Sequence, residues 1–272
     1  MKKAELEGQI VKKKSFLCIG LDPDPVKMPP LPGSPSEAVL AFNKSIIEAT
    51  EDLAVAYKPN FAFYEALGTK GWDVLEKTVA AIPKNIFKIA DAKRGDIGNT
   101  SSRYAKAIFE ELNFDAVTVA PYMGRDSIEP FLEYKDKWTI VLALTSNAGS
   151  ADFQRLQVNG KPVYEFVLEK CVEWGSPENL MFVIGATHPS DLAQIRKFLP
   201  DHFLLVPGVG AQGGDLQQVA KYGMNDKCGL LVNASRSVLY AGNGSDYANR
   251  SREEALKLQM EMATLLENIN AS

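Results

Sequence analysis

The stretch IFKIADAKRGDIGNT, residues 86–100, joins a short apolar run to a dense set of charges. Its first five residues are mostly apolar, which is typical of a strand buried on both faces. Because residues two apart in a strand share a face, Asp91 and Lys93 are predicted to project the same way, with Asp96 in the loop beyond. The alternative is a surface salt-bridge cluster, which is common and adds little stability. Charges at the end of a buried strand instead favour a functional site.

Seven other short apolar runs resemble this one, and helical patterns lie between them. The clearest helix begins with Ser34 as N-cap, Pro35 at the first helical position and Glu37 closing a capping box. Eight strands alternating with helices predict an α/β fold, a (β/α)8 TIM barrel that forms one domain over residues 1–272. An open doubly wound sheet is the competing arrangement. The predicted strands are residues 16–21, 54–59, 86–93, 116–121, 139–144, 181–185, 203–207 and 230–233. The other predicted helices are residues 62–81, 99–112, 128–134, 163–174, 190–198, 215–222 and 253–269.

Composition and charge narrow the class of protein. The chain is 46% hydrophobic and 24% charged, which is ordinary for a globular protein. A net charge of −4 provides no basic field for binding nucleic acid. Cys18, Cys171 and Cys228 are far apart, and no residues have metal-ligand spacing, so we predict neither a disulfide scaffold nor a metal site. With no leader and no apolar run of membrane length, we expect a cytoplasmic protein without a membrane partner.

Polar residues also follow other predicted strands. Asp22 follows the first and Lys58 ends the second, so both are expected at the same barrel mouth as Asp91. The loop PGVGAQGGD, residues 207–215, follows the seventh strand, and its glycines let backbone N–H groups approach a ligand. Arg236 follows the eighth strand, and a guanidinium can bind a phosphate through two hydrogen bonds. Barrels often bind phosphate in these two loops, although a tight turn and a surface arginine would give the same pattern.

The pattern D-x-K-x-x-D-I-x-N-T at residues 91–100 resembles the signature of the orotidine 5′-phosphate decarboxylase family. Asp22, Lys58, the PGVGAQGGD loop and the turn NASRS at residues 233–237 agree with that family over nearly the whole chain. The wording DAKRGDIGNT and the long loop after the fifth strand are similar to the larger bacterial subgroup (type 2). The resemblance implies conversion of orotidine 5′-monophosphate (OMP) to UMP and CO₂, the last step of de novo pyrimidine biosynthesis. It also implies a homodimer that uses no metal and no organic cofactor.

The resemblance further implies roles for individual residues. Lys93 matches the donor that delivers a proton to C6 of the pyrimidine, and Asp91 matches the carboxylate nearest the substrate carboxylate. Lys58 and Asp22 match the residues that hold the ribose and order the charges. The remaining matches contact substrate: Asp96 and Thr100 from the partner subunit, Ser146 at the pyrimidine edge, and Gln212 and Arg236 at the phosphate. Ser235 stands before that arginine, where the family often has a glycine with a backbone contact to phosphate.

Three other functions stay open at this point. Sugar-phosphate decarboxylases and synthases share the charged signature, but they use Mg²⁺ and a carboxylate from the second strand, where this chain has Lys58. A phosphosugar isomerase on the same fold needs a general base and no Asp-Lys-Asp array. A catalytically inactive nucleotide-binding protein would bind UMP without turnover. The complete set of charges favours the OMP decarboxylase activity over these three.

Overall fold

A computed structural model describes residues 1–186, 189–209 and 214–270. Eight parallel strands close into a barrel in chain order, and helices lie between them. This arrangement confirms the predicted (β/α)8 TIM barrel and excludes the open sheet. The strands are β1 (Leu17–Leu21), β2 (Ala56–Pro59), β3 (Phe87–Arg94), β4 (Ala116–Val119), β5 (Trp138–Leu144), β6 (Leu180–Ile184), β7 (Phe203–Pro207) and β8 (Leu230–Ala234).

The helices follow the predicted pattern with three differences, one of which is the short helix Arg236–Leu239, which was not predicted. The long pattern over residues 62–81 is divided near Gly68, whose φ of 69° is a left-handed conformation that glycine adopts readily. A first helix that was not predicted precedes β1 and buries Leu6 and Ile10. Within the described residues, no helix has both the length and the apolar composition of a membrane span. The helices are α1 (Lys3–Lys13), α2 (Pro35–Thr50), α3 (Phe61–Glu65), α4 (Thr69–Ala81), α5 (Gly98–Lys106), α6 (Arg125–Leu132), α7 (Val163–Trp174), α8 (Pro189–Phe198), α9 (Leu216–Gly223), α10 (Arg236–Leu239) and α11 (Tyr247–Asn270).

Large aromatic side chains fill the barrel at the amino ends of its strands. Trp138 of β5 meets Phe87 of β3 and Phe203 of β7, with both pairs of ring centroids 6.0 Å apart in edge-to-face geometry. Because β5 and β7 are not neighbours in the sheet, these rings meet inside the barrel. Such layers, contributed by alternate strands, are how barrels of this kind pack their interiors. The base is therefore closed, and a ligand can enter only at the opposite, carboxyl end of the strands.

Candidate active site

A buried carboxylate lies between two lysines at the carboxyl ends of β2 and β3. Lys58 Nζ is 2.5 Å from Asp91 Oδ2, and these residues are only 5% and 8% exposed. Lys93 Nζ forms an ion pair with the other oxygen, Asp91 Oδ1, and about half of the Lys93 side chain is exposed. Asp91 and Lys93 meet, as the sequence predicted, although the backbone at Lys93 does not keep the regular strand period on which that prediction rested. The result is one fixed carboxylate with a buried ammonium on one side and an accessible ammonium on the other.

The electrostatics of this group keep its charges in place at neutral pH. Burial by itself would raise the pKa of Asp91, but Lys58 and Lys93 outweigh it and lower that pKa to about 2. Burial likewise opposes the charge on Lys58, yet Asp91 and then Asp22 hold the pKa of Lys58 above its ordinary value. Both groups are therefore ionised without any ligand. A substrate meets a preorganised array of charges rather than one that must form on binding.

The backbone at Lys93 departs from regular strand geometry. Lys93 has φ of 47°, the left-handed region that a lysine rarely adopts. The β3–β4 register also shifts here, because Ala90 pairs with Val117 whereas Arg94 pairs with Val119. Such bulges occur next to active sites, where they redirect a side chain. The shift lies at the residue that the resemblance assigns as proton donor.

A small cavity of about 180 Å³ opens beside Lys58. Asp22 lines it from the loop after β1, and Asp22 Oδ1 is buried with no hydrogen-bond partner among the described residues. The hydroxyl of Tyr240 holds this loop, since it donates to the Asp22 carbonyl oxygen and accepts from the Asp24 N–H, both at 2.8 Å. A carboxylate that lines a polar cavity is suited to accept from a ligand hydroxyl. The remaining lining residues are Pro207, Gly208, Val209, Asn233, Ser235 and Arg236.

The loop after β8 brings Ser235 and Arg236 to the same cavity. The Ser235 hydroxyl accepts from Asn233 at 3.2 Å and packs so closely on β1 that a Cβ at Gly20 would lie 1.8 Å from Ser235 Oγ. A side chain at position 20 would therefore force the Ser235 hydroxyl to move. Arg236 begins α10 and is exposed, with no hydrogen bond or ion pair from its guanidinium to the part of the chain that the structure describes. Its side chain is available to an anion.

Two predicted site residues lie outside this cluster within a single subunit. Asp96 Oδ1 accepts from the Ile97 N–H at 2.8 Å, and no ion pair joins Asp96 to Lys93 in the described ranges. Thr100 lies in the first turns of α5 and is exposed. Their position on the rim is compatible with the expected contact to a second subunit, but one chain does not bring them to Asp91.

Hydrogen bonds and an ion pair hold the loop after β5, which contains Ser146. Gln154, which no sequence motif indicated, accepts from the Thr145 N–H at 2.8 Å and donates to Thr145 Oγ1 at 2.9 Å. Arg155 extends the support by an ion pair of 2.6 Å to Asp191 on α8. Only the unusual length of this loop hinted at such support in the sequence. Gln212, the other predicted phosphate ligand, lies outside the described residues.

The donor set at the mouth does not resemble a metal centre. In residues 1–186, 189–209 and 214–270, no group of three or more histidine, cysteine, aspartate or glutamate side chains is placed to hold a metal ion. Lys58, not a carboxylate, ends β2, and its ammonium occupies the space beside Asp91. A cation beside Asp91 is thus supplied by the protein itself.

The fold and the site together define a (β/α)8 barrel with a Lys-Asp-Lys array at its mouth, beside a cavity lined by an exposed arginine. The sequence model described as "Orotidine 5'-phosphate decarboxylase / HUMPS family" matches residues 15–250. The chain belongs to this family. A curated orotidine 5'-phosphate decarboxylase from Flavobacterium johnsoniae is 59% identical over 267 residues, which are 97% of this chain and 98% of the relative.

Solved structures agree in fold. The OMP decarboxylase of Leishmania donovani has a TM-score of 0.81 and 38% identity, over 96% of this chain and 100% of that one. The UMP synthase of the same organism has a TM-score of 0.83 and 40% identity. The match covers 95% of this chain but 57% of the synthase, so the present chain corresponds to part of that longer protein.

Proposed function

We propose that this chain decarboxylates OMP to UMP and CO₂, the last step of pyrimidine biosynthesis, and that Lys93 protonates C6. The observation that carries the proposal is the buried Asp91 carboxylate between the ammonium groups of Lys58 and Lys93. The family and the curated relatives, over nearly their full length, support the same substrate. We also propose a cytoplasmic location, which the three buried cysteines in thiol form support.

The reaction needs fixed charges because it has no other way to stabilise its intermediate. When the bond from C6 to the carboxylate carbon breaks, the electron pair stays on C6 in an orbital that the ring π system does not delocalise. The Lys93 ammonium stabilises this negative charge and then transfers one proton from Nζ to C6. The products are UMP, CO₂ and a neutral Lys93 amine, which regains its proton from water. Asp91 keeps the ammonium in place before the reaction.

The phosphate lies far from the reacting carbon and supplies binding energy. Arg236 is exposed at the cavity that Asp22 and Lys58 also line. In our proposal Arg236 binds phosphate together with Gln212 and the backbone at Ser235, while Asp22 and Lys58 bind the ribose. Ser146, in the loop after β5, contacts the edge of the pyrimidine. Energy from the phosphate contact is then used to hold C6 at Lys93.

We propose a homodimer in which Asp96 and Thr100 complete the partner's site. The loops after β4 and β5 carry exposed apolar side chains, including Tyr122 at 90% and Phe153 at 65% exposed, whose rings contact each other. Exposed aromatic patches of this kind mark protein interfaces. Mixing inactive Lys93→Ala and Asp96→Ala proteins tests the arrangement, because a mixed dimer regains one intact site. If the subunits exchange but the mixture does not regain activity, the result contradicts the shared site.

The direct test of the activity uses EDTA-treated protein and OMP, with the ultraviolet change followed as UMP forms. Rapid loss of the OMP signal is the expected result. No change, with folded protein, would refute the proposal, and sugar-phosphate substrates with added Mg²⁺ would then separate the synthase alternative. Binding of UMP without turnover would identify an inactive nucleotide-binding protein. Activity that is lost on chelation and restored by Mg²⁺ would contradict the cofactor-free mechanism.

A further inference from the structure

One buried hydroxyl lies where the β3–β4 ladder becomes irregular. Thr118 of β4 is 2% exposed and stands between the two positions at which the register shifts. Between the Ala90–Val117 pair and the Arg94–Val119 pair, β3 advances four residues while β4 advances two. The extra residues of β3 therefore have N–H groups that no β4 carbonyl can reach in the ordinary ladder.

The Thr118 hydroxyl replaces those missing ladder partners. Its Oγ1 accepts from the Lys93 N–H at 2.9 Å and from the Ala92 N–H at 3.1 Å. The same oxygen is 3.4 Å from both the Ala90 carbonyl oxygen and Asp91 Oδ1, either of which can receive its proton. A single side chain thus contacts the backbone of Lys93 and the carboxylate that pairs with it.

This contact matters because the Lys93 backbone is strained. A lysine in the left-handed region, here at φ of 47°, persists only when its surroundings impose that conformation. Without the Thr118 oxygen, two partly buried N–H groups would lack a partner, and a regular strand would become relatively more favourable. In a regular strand the Lys93 ammonium would start from a different backbone direction relative to Asp91.

We propose that Thr118 is a positioning residue for decarboxylation: its hydroxyl fixes the bulge from which Lys93 reaches the reacting carbon. The inference rests on the proposed function of Lys93. Thr118 does not contact substrate itself, and it acts through the backbone of Ala92 and Lys93. The only signal in the sequence is a polar residue inside the apolar strand AVTV.

The test compares Thr118→Val, which keeps the shape and removes the hydroxyl, with Thr118→Ser, which keeps the hydroxyl. We expect kcat of the valine variant to fall about 10- to 100-fold, because small displacements of a reacting group cost this much. KM for OMP and the Kd of UMP should stay near their wild-type values, because the phosphate and ribose contacts are elsewhere. Serine should restore most of kcat.

Thr139→Val is the matched control. Thr139 on β5 is fully buried, and its hydroxyl has no hydrogen-bond partner in the described part of the chain. The same substitution there should leave kcat unchanged. If Thr118→Val does not fold, Thr118→Ala and Thr118→Ser form the comparison on the same criterion. Circular dichroism shows whether each variant folds, and this decides which pair of variants is compared.

Three results would overturn the proposal. One is an unchanged kcat in the variant without the hydroxyl. Another is an equal loss in the valine and serine variants, which would show that packing and not the hydroxyl is responsible. The third is a loss that appears only as weaker UMP binding. A wild-type chain without OMP turnover would instead refute the proposed function, and this is seen before any variant is compared.

Discussion

Two cationic side chains are buried at opposite ends of the barrel, and different kinds of group compensate for the desolvation of each charge. Lys58, at the mouth, is paired with the Asp91 carboxylate at 2.5 Å. Arg196 of α8, at the base, is 9% exposed and forms no ion pair within the described ranges. Its guanidinium donates only to backbone carbonyl oxygens, those of Leu199, Pro200, His202, Gly223 and Gly229.

The two environments have opposite effects on acidity. Burial dominates at Arg196 and lowers its pKa to about 10, although Cys228 and Asp201 oppose the shift. At Lys58 the neighbouring carboxylates outweigh burial and raise the pKa. Carbonyl dipoles hold the Arg196 charge and, in return, Arg196 joins two loops, residues 199–202 after α8 and residues 223–229 after α9. The carboxylate at the mouth instead creates a charged array that a ligand can reach. The contacts of Arg196 at the base thus stabilise the fold, whereas the charges at the mouth are accessible to a ligand and can take part in a reaction.

The strongest test of this division is Lys93→Ala at the mouth. We expect kcat to fall at least ~10³-fold, because the change removes both a proton donor and a cation beside the developing charge. The free energy of unfolding, measured with urea, should change by about 1 kcal/mol or less, because the Lys93 side chain is half exposed and Lys58 still pairs with the buried Asp91. Lys77→Ala, at an exposed ion pair on α4, is the control and should retain activity. Wild-type-like turnover in Lys93→Ala would remove Lys93 from the mechanism.

The complementary change is Arg196→Met at the base. It leaves several buried carbonyl oxygens without a donor, so the free energy of unfolding should fall by about 3 kcal/mol or more. The kcat of the folded fraction should stay near wild type. Arg250→Met, which removes an exposed arginine paired with Asp246, should have little effect on either quantity. If Arg196→Met lowered kcat in fully folded protein, the separation of roles between base and mouth would fail.

The mouth was more predictable from sequence than the base. Asp22, Lys58, Asp91 and Lys93 follow apolar runs, and the barrel places all strand ends of one kind at the same rim. Nothing in the chain around Arg196 distinguishes it from a solvated helix position, because its partners lie in loops up to 33 residues away. A local sequence pattern therefore identifies charged residues at the ends of strands. It does not identify a charged residue whose partners lie in distant loops.

The irregular backbone at Lys93 was also not predictable from the sequence pattern. The prediction that Asp91 and Lys93 meet is confirmed, but the regular strand period behind it does not hold at Lys93, where the backbone is bulged and left-handed. These features depend on the Thr118 hydroxyl of the neighbouring strand, a tertiary contact. Helix α1 was missed for a related reason: only Leu6 and Ile10 are buried along eleven mostly polar residues. An amphipathic pattern of two residues is too short to stand out.

A smaller effect at the mouth is expected for Arg236→Ala. Loss of a charged contact to the phosphate should raise KM for OMP about 10- to 100-fold, with a weaker effect on kcat. The mutation should leave the unfolding free energy unchanged, because the exposed guanidinium contacts no carboxylate in the described structure. A matched measurement with the nucleoside orotidine should show no difference between the two proteins. An unchanged KM for OMP would refute the phosphate role.

The smallest expected effect returns to the base, where His202 is buried and uncharged. Neither ring nitrogen has a hydrogen-bond partner among the described residues, and burial, followed by Lys3 and Arg196, lowers the pKa of His202 to about 4. The ordinary pKa in the unfolded chain is about 6.5, so between pH 6.5 and 4 the unfolded state binds more protons than the folded state. Stability is therefore lost as the pH falls through this window.

The measurement is the free energy of unfolding at pH 7 and pH 5 for wild type and His202→Leu. Removing the titrating ring should reduce the loss between these values by on the order of 1 kcal/mol. His188 and the carboxylates are present in both proteins, so their titration cancels in the difference. Equal pH dependence in the two proteins would mean that the His202 ring accepts a proton in the folded state, and the base would then be less closed than its packing indicates.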